Sequence, residues 1–188
     1  MMALSWTAAV ATLDNEHVFA PERYSAKRLS RATADDTVEL AEVARLTRFT
    51  VNPAGKRYAD HDFLVLDTTH AVEGKILFNG NPVKGREVGS AKRPVSAGNV
   101  IVSRLRTYLR QIAFIDDQLL QRFDVDVVCS TEFYILEPVQ SGDDIAFLVP
   151  YLLSEQVQQI FANSQEGGHH PRMHASVLAN LRLPKALL

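Results

Sequence analysis

Three histidines fall within six residues in His169-His170-Pro171-Arg172-Met173-His174. Neutral imidazole is a common ligand of zinc and iron, so this cluster offers a metal-dependent hydrolase built on His169, His170 and His174. The spacing works against it. Two adjacent histidines and a third four residues on, with a proline between, match neither the helical pair of a zincin nor a zinc finger. Behind Gly167-Gly168 the same residues also read as an exposed loop whose His and Arg side chains could approach phosphates or base edges closely. His61-Asp62 has no helical histidines around it to complete a phosphohydrolase centre. Cys129, among Val127, Val128 and Ser130, reads as a small buried strand residue rather than a nucleophile. Ser103 and Ser130 lack the nucleophile-elbow pattern, and no glycine loop able to cradle a phosphate is present. The expectation is a protein without catalytic residues, metal or cofactor.

Charge is distributed more informatively than its total. The 188 residues hold 20 Lys+Arg and 22 Asp+Glu, a formal net charge of −2, which by itself argues against nucleic acid. Yet residues 84–110 carry Lys84, Arg86, Lys92, Arg93, Arg104, Arg106 and Arg110 against Glu87 alone, a local 7 − 1 = +6. Residues 114–147 carry eight acids against Arg122, a local 1 − 8 = −7. Arg45, Arg48, Lys56 and Arg57 form a second basic stretch. Two readings stay open: one positive and one negative face on a compact domain, or two blocks cancelling as surface ion pairs that stabilise little.

The elements that must position these charges are short. With 46% hydrophobic and 22% charged residues, the composition is that of an ordinary globular domain. A single cysteine excludes an internal disulfide. The longest apolar run, 145–153, is nine residues and too short to span a bilayer. No basic residue precedes Arg23, so the start lacks the charged head of a secretory signal, and a soluble cytoplasmic protein is expected. Pro21 suits the first turn of a basic helix reaching about Thr33, in an N-terminal extension over residues 1–37 packed on one domain at 38–188. A strand is expected at 44–51. From Asp62 to about Cys129 the chain reads as short strands at 63–66, 75–78, 99–103 and 112–115, with a further pair at 125–129 and 133–136. After Gly142 the apolar spacing turns helical, with a kink expected at Pro150 and a short helix at 176–180. The fold class expected is α/β (α+β): a mixed, twisted sheet core of short strands with flanking helices.

The order of motifs is more specific than any single cluster. Gly98-Asn99-Val100-Ile101-Val102-Ser103-Arg104-Leu105-Arg106 resembles the G-D-V-L-I-S-x-x-R strand of target recognition domains in the specificity (S) subunits of type I restriction–modification systems. Leu40-Ala41-Glu42-Val43-Ala44 is similar to that family's entry L-G-E-I-A. Tyr58, the 63–67 run and Gly74-Lys75-Ile76 match its Y-x-Y-I-x-x-x-D-I-x-x-G-x-I region. Ser130-Thr131-Glu132-Phe133-Tyr134-Ile135-Leu136-Glu137-Pro138 is similar to S-T-G-F-x-V-L-R-P, with Glu132 in place of Gly and Glu137 in place of Arg. Tyr151-Leu152-Leu153-Ser154 fits a Y-L-x-x-L-x-S helix, and residues 167–184 fit G-x-x-x-P-R-I-x-x-x-x-L-x-x-L-x-I-P.

The resemblance spans residues 38–185 and implies a domain that reads part of a DNA target while methyltransferase and restriction subunits perform the chemistry. Family members generally carry two such domains joined by docking helices, and Pro184 falls where such a helix would begin; the expectation is a stand-alone half, active as a possible homodimer. A globule of this size, about 16 Å in radius of gyration, covers roughly one turn of duplex. Lys84, Arg86, Lys92, Arg93, Arg104 and Arg106 are the expected phosphate contacts. Asn79, Asn81, His170 and Arg172 are the expected readers of base edges, with His169 a further expected DNA contact. The acid-rich 114–147 block is expected to face away from DNA, toward a partner. A rival reading keeps the fold but assigns it to binding restriction–modification subunits without reading DNA.

Overall fold

The computed structural model describes residues 36–166 and 171–188; the expected basic helix after Pro21, and His169 and His170, lie outside them. The described chain enters through β1 (Thr37–Glu39), which pairs antiparallel with the last strand, β14 (Arg182–Pro184), in the register Val38↔Leu183. Arg182 tightens this clasp by donating to Thr37 Oγ1 at 3.0 Å and to Glu39 Oε1 at 3.2 Å. Helix α1 (Leu40–Val43) follows, its start closed by Glu39 N–H donating to the Glu42 carboxylate at 2.8 Å.

Two four-stranded sheets make the body. The first takes β2 (Ala44–Thr47), β11 (Phe133–Pro138), β8 (Val100–Ser103) and β9 (Ile112–Phe114) in the order β2-β11-β8-β9, all antiparallel. The second takes β6 (Val83–Lys84), β3 (Asp62–Leu66), β10 (Asp126–Ser130) and β7 (Lys92–Pro94) in the order β6-β3-β10-β7, with β3 and β10 parallel. A small hairpin, β4 (Ala71–Val72) with β5 (Lys75–Ile76), packs beside β9.

Side chains alternate across a strand, so a strand buried on both faces must be apolar at every position. The central strands β8 and β11 obey this over Val100–Val102 and Phe133–Leu136. Val100, Val102, Ile112, Tyr134 and Leu136 point into one core; Ile101, Ala113, Phe133 and Ile135 point into another. The first core is closed by helices α3 (Leu148–Leu153), α4 (Glu155–Ala162) and α5 (Ala175–Ala179) through Leu148, Leu152, Phe161 and Leu178. The second is closed by Leu64, Leu66, Val127 and Cys129 of the other sheet. The domain is thus helices on sheet on sheet, the mixed α/β class expected.

Local departures have physical reasons. Helix α2 (Asp117–Phe123) stands where only strands were expected; Asp116 caps it, accepting from Leu119 N–H at 2.7 Å, and Asp124 ends it at φ 47°. The helical break falls at Ser154, not Pro150. Pro150 is the third residue of α3, where its missing N–H has no partner to lose, whereas Ser154 caps α4 by accepting from Val157 N–H. The strand expected at 75–78 pairs only over Lys75–Ile76, because Phe78 turns to meet the rings of His70 and Phe123 edge-on at 5.0 and 5.8 Å. The strand expected at 44–51 stops at Thr47.

The long connection from β2 to β3 lies against the turn after β6, where Gly85 N–H donates to His61 O at 2.9 Å and Arg86 N–H to Ala59 O at 3.0 Å. A Cβ on Gly85 would stand 2.2 Å from Tyr58 O and 2.4 Å from Pro53 O, both backbone atoms. Gly85→Ala is therefore expected to destabilise the fold by about 1–3 kcal/mol, measured by denaturant unfolding.

Candidate nucleic-acid interface

Strand register brings five segments to one end of the two sheets. Lys92 pairs with Ser130, and Val51 bridges to Lys92; Thr47 pairs with Ile135, Ser103 with Phe133, and Leu105 bridges to Arg172. The corner Thr131-Glu132 carries the chain from β10 in one sheet to β11 in the other, so it sits at the centre of this end. Backbone bonds lock the neighbours: Arg104 N–H donates to Glu132 O at 2.9 Å, Met173 N–H to Arg104 O at 2.8 Å and Arg106 N–H to Pro171 O at 3.1 Å. Arg106 and Arg110 adopt the left-handed region at φ 48° and 53°, turning the loop around a single helical turn, Thr107–Leu109. β12 (Gln165–Glu166) and β13 (Arg172–Met173) pair beside it, and the Gln165 amide donates to Thr107 Oγ1.

Glu132 holds two arginines. Arg172 donates through Nη2 to Oε1 at 2.8 Å and through Nε to Oε2 at 3.1 Å, a two-pronged grip, while Arg104 Nε donates to Oε2 at 3.0 Å. The hydrogen bond from Arg172 does most to hold the Glu132 carboxyl below its ordinary range; partial burial opposes this, and Arg104 adds to it. Arg172, more open to solvent, is raised in turn by the same carboxylate. Arg104 and Arg172 thus share one carboxylate, while Arg48, Lys92 and Arg106 lie on the neighbouring segments of the same end. Lys92 Nζ also reaches Ser90 Oγ at 2.7 Å.

Arg93 lies beneath this end. It is 9% exposed, and its Nη1 donates to Thr47 O at 3.0 Å, tying β7 to β2 and hence one sheet to the other. Its Nε has no hydrogen-bond partner among the described residues. Burial lowers its proton affinity most; Cys129 opposes that, and the charges of Arg104 and Arg48 add to it. Its guanidinium serves the fold's interior rather than the surface.

Lys84 and Arg86 are at the far end. Lys84 opposes Asp62 in register and meets its carboxylate at 2.8 Å; Arg86 meets Asp60 at 2.7 Å. β10 separates this end from Ser130 by about 13 Å of strand. A cleft of about 670 Å³ opens there, lined by Asp60, His61, Asp62, Asp124 and Asp126 among others. Asn79 and Asn81 are exposed on the segment leading into β6. The basic run read in the sequence is split because β6 and β7 occupy opposite edges of their sheet. The acidic block is split as well: Glu132 sits among the arginines, Glu137 pairs with Arg45 at 3.2 Å, and Asp124 and Asp126 line the cleft.

Of the three-histidine cluster only His174 is described. It caps α5, accepting from Ser176 N–H and meeting Ser176 Oγ at 2.9 Å. Among the described residues no group of three His, Cys, Asp or Glu could hold a metal ion, and no helix is long and apolar enough to cross a membrane. Sequence reasoning missed two exposed aromatics flanking the arginines: Phe49, 66% exposed beside Arg48, and Tyr108, 61% exposed in the loop after Arg106. The available signal was Phe49 standing in the polar run Thr47-Arg48-Phe49-Thr50, just past the end of β2.

Comparison with known proteins gives a fold of one class. The chain is similar to one in a type I R-M system solved for its complex assembly and conformational transition (22% identity, TM-score 0.64). It is also similar to the HsdS subunit from Thermoanaerobacter tengcongensis (22% identity, TM-score 0.60). Each match covers 79% of this chain and 37% of the other, so the chain spans little more than a third of the proteins it matches. No family model and no curated protein sequence matches it. The fold is HsdS-like.

Two outcomes follow from these environments. Burial pushes the Cys129 thiol up to about 12, so native protein is expected to resist alkylation near neutral pH and to react only when denatured, as read by mass spectrometry. Glu132 binds its proton less tightly in the fold than in the unfolded chain. Its stabilising contribution is therefore full above about pH 4.3 and is lost as pH falls through its lower folded value. Thermal melts are expected to show this acid limb, and E132Q to flatten it.

Proposed function

We propose that this chain is a non-catalytic, sequence-specific DNA-binding domain that reads part of a duplex target and positions the methyltransferase and restriction subunits of a type I system. The observation that carries the reading is the gathering of Arg48, Lys92, Arg104, Arg106 and Arg172 on backbone-locked segments at one end, with Asp60, Asp62, Asp124 and Asp126 at the other. A polyanion is attracted to the first end and repelled from the second, so the charge distribution orients the domain on a duplex before any base is read. The 79% overlap in fold with parts of type I proteins supports the same reading. Arg104 and Arg172 have the side-chain type that reads guanine edges, and Phe49 and Tyr108 supply apolar surface beside them. Lys84 and Arg86, paired with aspartates at the other end, fall outside this interface, and Asn79 and Asn81 stay proposed base readers. The acid-lined end is the face we assign to partner proteins.

The test is a salt-titrated selection from random duplex, with the expected result that one sequence is enriched. Removing a phosphate-contacting cation lowers the log–log salt slope by about 0.9. Lys92→Ala and Arg48→Ala are each expected to do so, whereas Lys84→Ala and Arg86→Ala leave the slope unchanged. Retention on restriction–modification subunits with no enrichment from any duplex pool would select a protein-interaction module instead.

A further inference from the structure

We propose that Glu132 is a positioning residue for sequence discrimination: by holding Arg104 and Arg172 together it keeps both from capture by non-target phosphates and aims Arg104 at a base edge. This rests on the DNA-reading function above. One carboxylate shared by two guanidinium groups leaves that part of the surface with a net charge of +1 rather than +2. Glu132 and Arg104 are largely sheltered, with side chains 22% and 32% exposed, while Arg172 is 44% exposed.

A phosphate approaching Arg172 must displace a two-pronged carboxylate contact at 2.8 and 3.1 Å. That exchanges one charge-assisted pair for another, so random duplex gains little from it. Arg104 is gripped at Nε, and this bond lies inboard of its terminal Nη groups. Those groups carry the fork geometry that matches guanine O6 and N7. The grip is fixed at its root as well, because the backbone N–H of Arg104 donates to the carbonyl of Glu132 itself. Swinging the arginine toward a phosphate breaks the side-chain bond while the backbone stays pinned. Discrimination arises from both halves of this arrangement: a lowered attraction to every duplex and a preset direction for one base contact.

E132Q keeps the shape of the side chain and removes its charge. The expected result is tighter binding to random duplex by roughly three- to tenfold, a salt slope steeper by about 0.9, and a target-to-random ratio reduced about tenfold. E132D, which retains the charge, is expected to keep the wild-type slope. A second measurement uses the unaltered protein: the Nε–H resonances of Arg104 and Arg172, protected by the carboxylate, are expected to persist when the selected target binds. Wild-type slope and ratio in E132Q, or an equal loss of affinity for target and random duplex, overturns the inference. Disappearance of both Nε–H resonances on target binding does the same. Those results leave the DNA-reading function standing if the wild-type chain still enriches a sequence. Absence of duplex binding by wild type and E132Q alike, at low salt, overturns both.

Discussion

The fold depends on one sheet being buried on both of its faces. Val100, Ile101 and Val102 in β8, and Phe133 to Leu136 in β11, are almost completely shielded, with successive side chains entering opposite cores. A slip of one residue in the β8–β11 register would exchange the two sets, placing Tyr134 where Phe133 packs against the second sheet. Tyr134 makes that exchange costly, because its hydroxyl donates to Met173 O at 2.8 Å on the helical side and would lose that partner among apolar neighbours. Register fixes the position of Ser103 against Phe133, and with it the position of everything beyond: Arg104 on one strand and Glu132 on the other. The surface arrangement at this end is an extension of core packing.

Sheet order also decides what the charges can do. A run of cations in the sequence becomes two unlike environments because the strands that carry it are not spatial neighbours. At the edge strand β6 the cations meet aspartates in exposed pairs of the kind that contribute little to stability. At the corner between the sheets the pairing is tighter, since the backbone holds both arginines against a single partially sheltered carboxylate. Arg93, tucked under that corner, links the two layers through a carbonyl and faces no carboxylate in any hydrogen bond described for it. Its hydrogen bond goes to a backbone carbonyl rather than a carboxylate, so its positive charge is not cancelled there as the surface arginines' charges are.

Strands were legible in the sequence where β-branched residues ran together, as at 63–66 and 99–103, and the helical switch after Gly142 was legible from spacing. Helix α2 was not, because its seven residues follow directly on the 112–115 run and its signal lies in one capping aspartate, Asp116. The β1–β14 pair was invisible: no local pattern tells Thr37 that it will meet Pro184. The same limit applied at the candidate site. Arg104 and Arg172 were each singled out by motif, but what joins them is Glu132, 28 residues from one and 40 from the other. Only register across two sheets could bring that carboxylate between them. Phe49 was hidden by an assumption about strand length, since a strand reaching residue 51 would have placed it within the sheet rather than in solvent.

The clasp between β1 and β14 has a consequence for evolution. The first and last strands of the described chain end side by side, with Thr37 and Pro184 paired about 5 Å apart at the backbone. A body with its entrance and exit side by side can be spliced into a longer polypeptide, or replaced by another of its kind, without altering the separation between the flanking segments. Such an architecture works as a cartridge: its surface can diverge while the spacing of what flanks it stays the same.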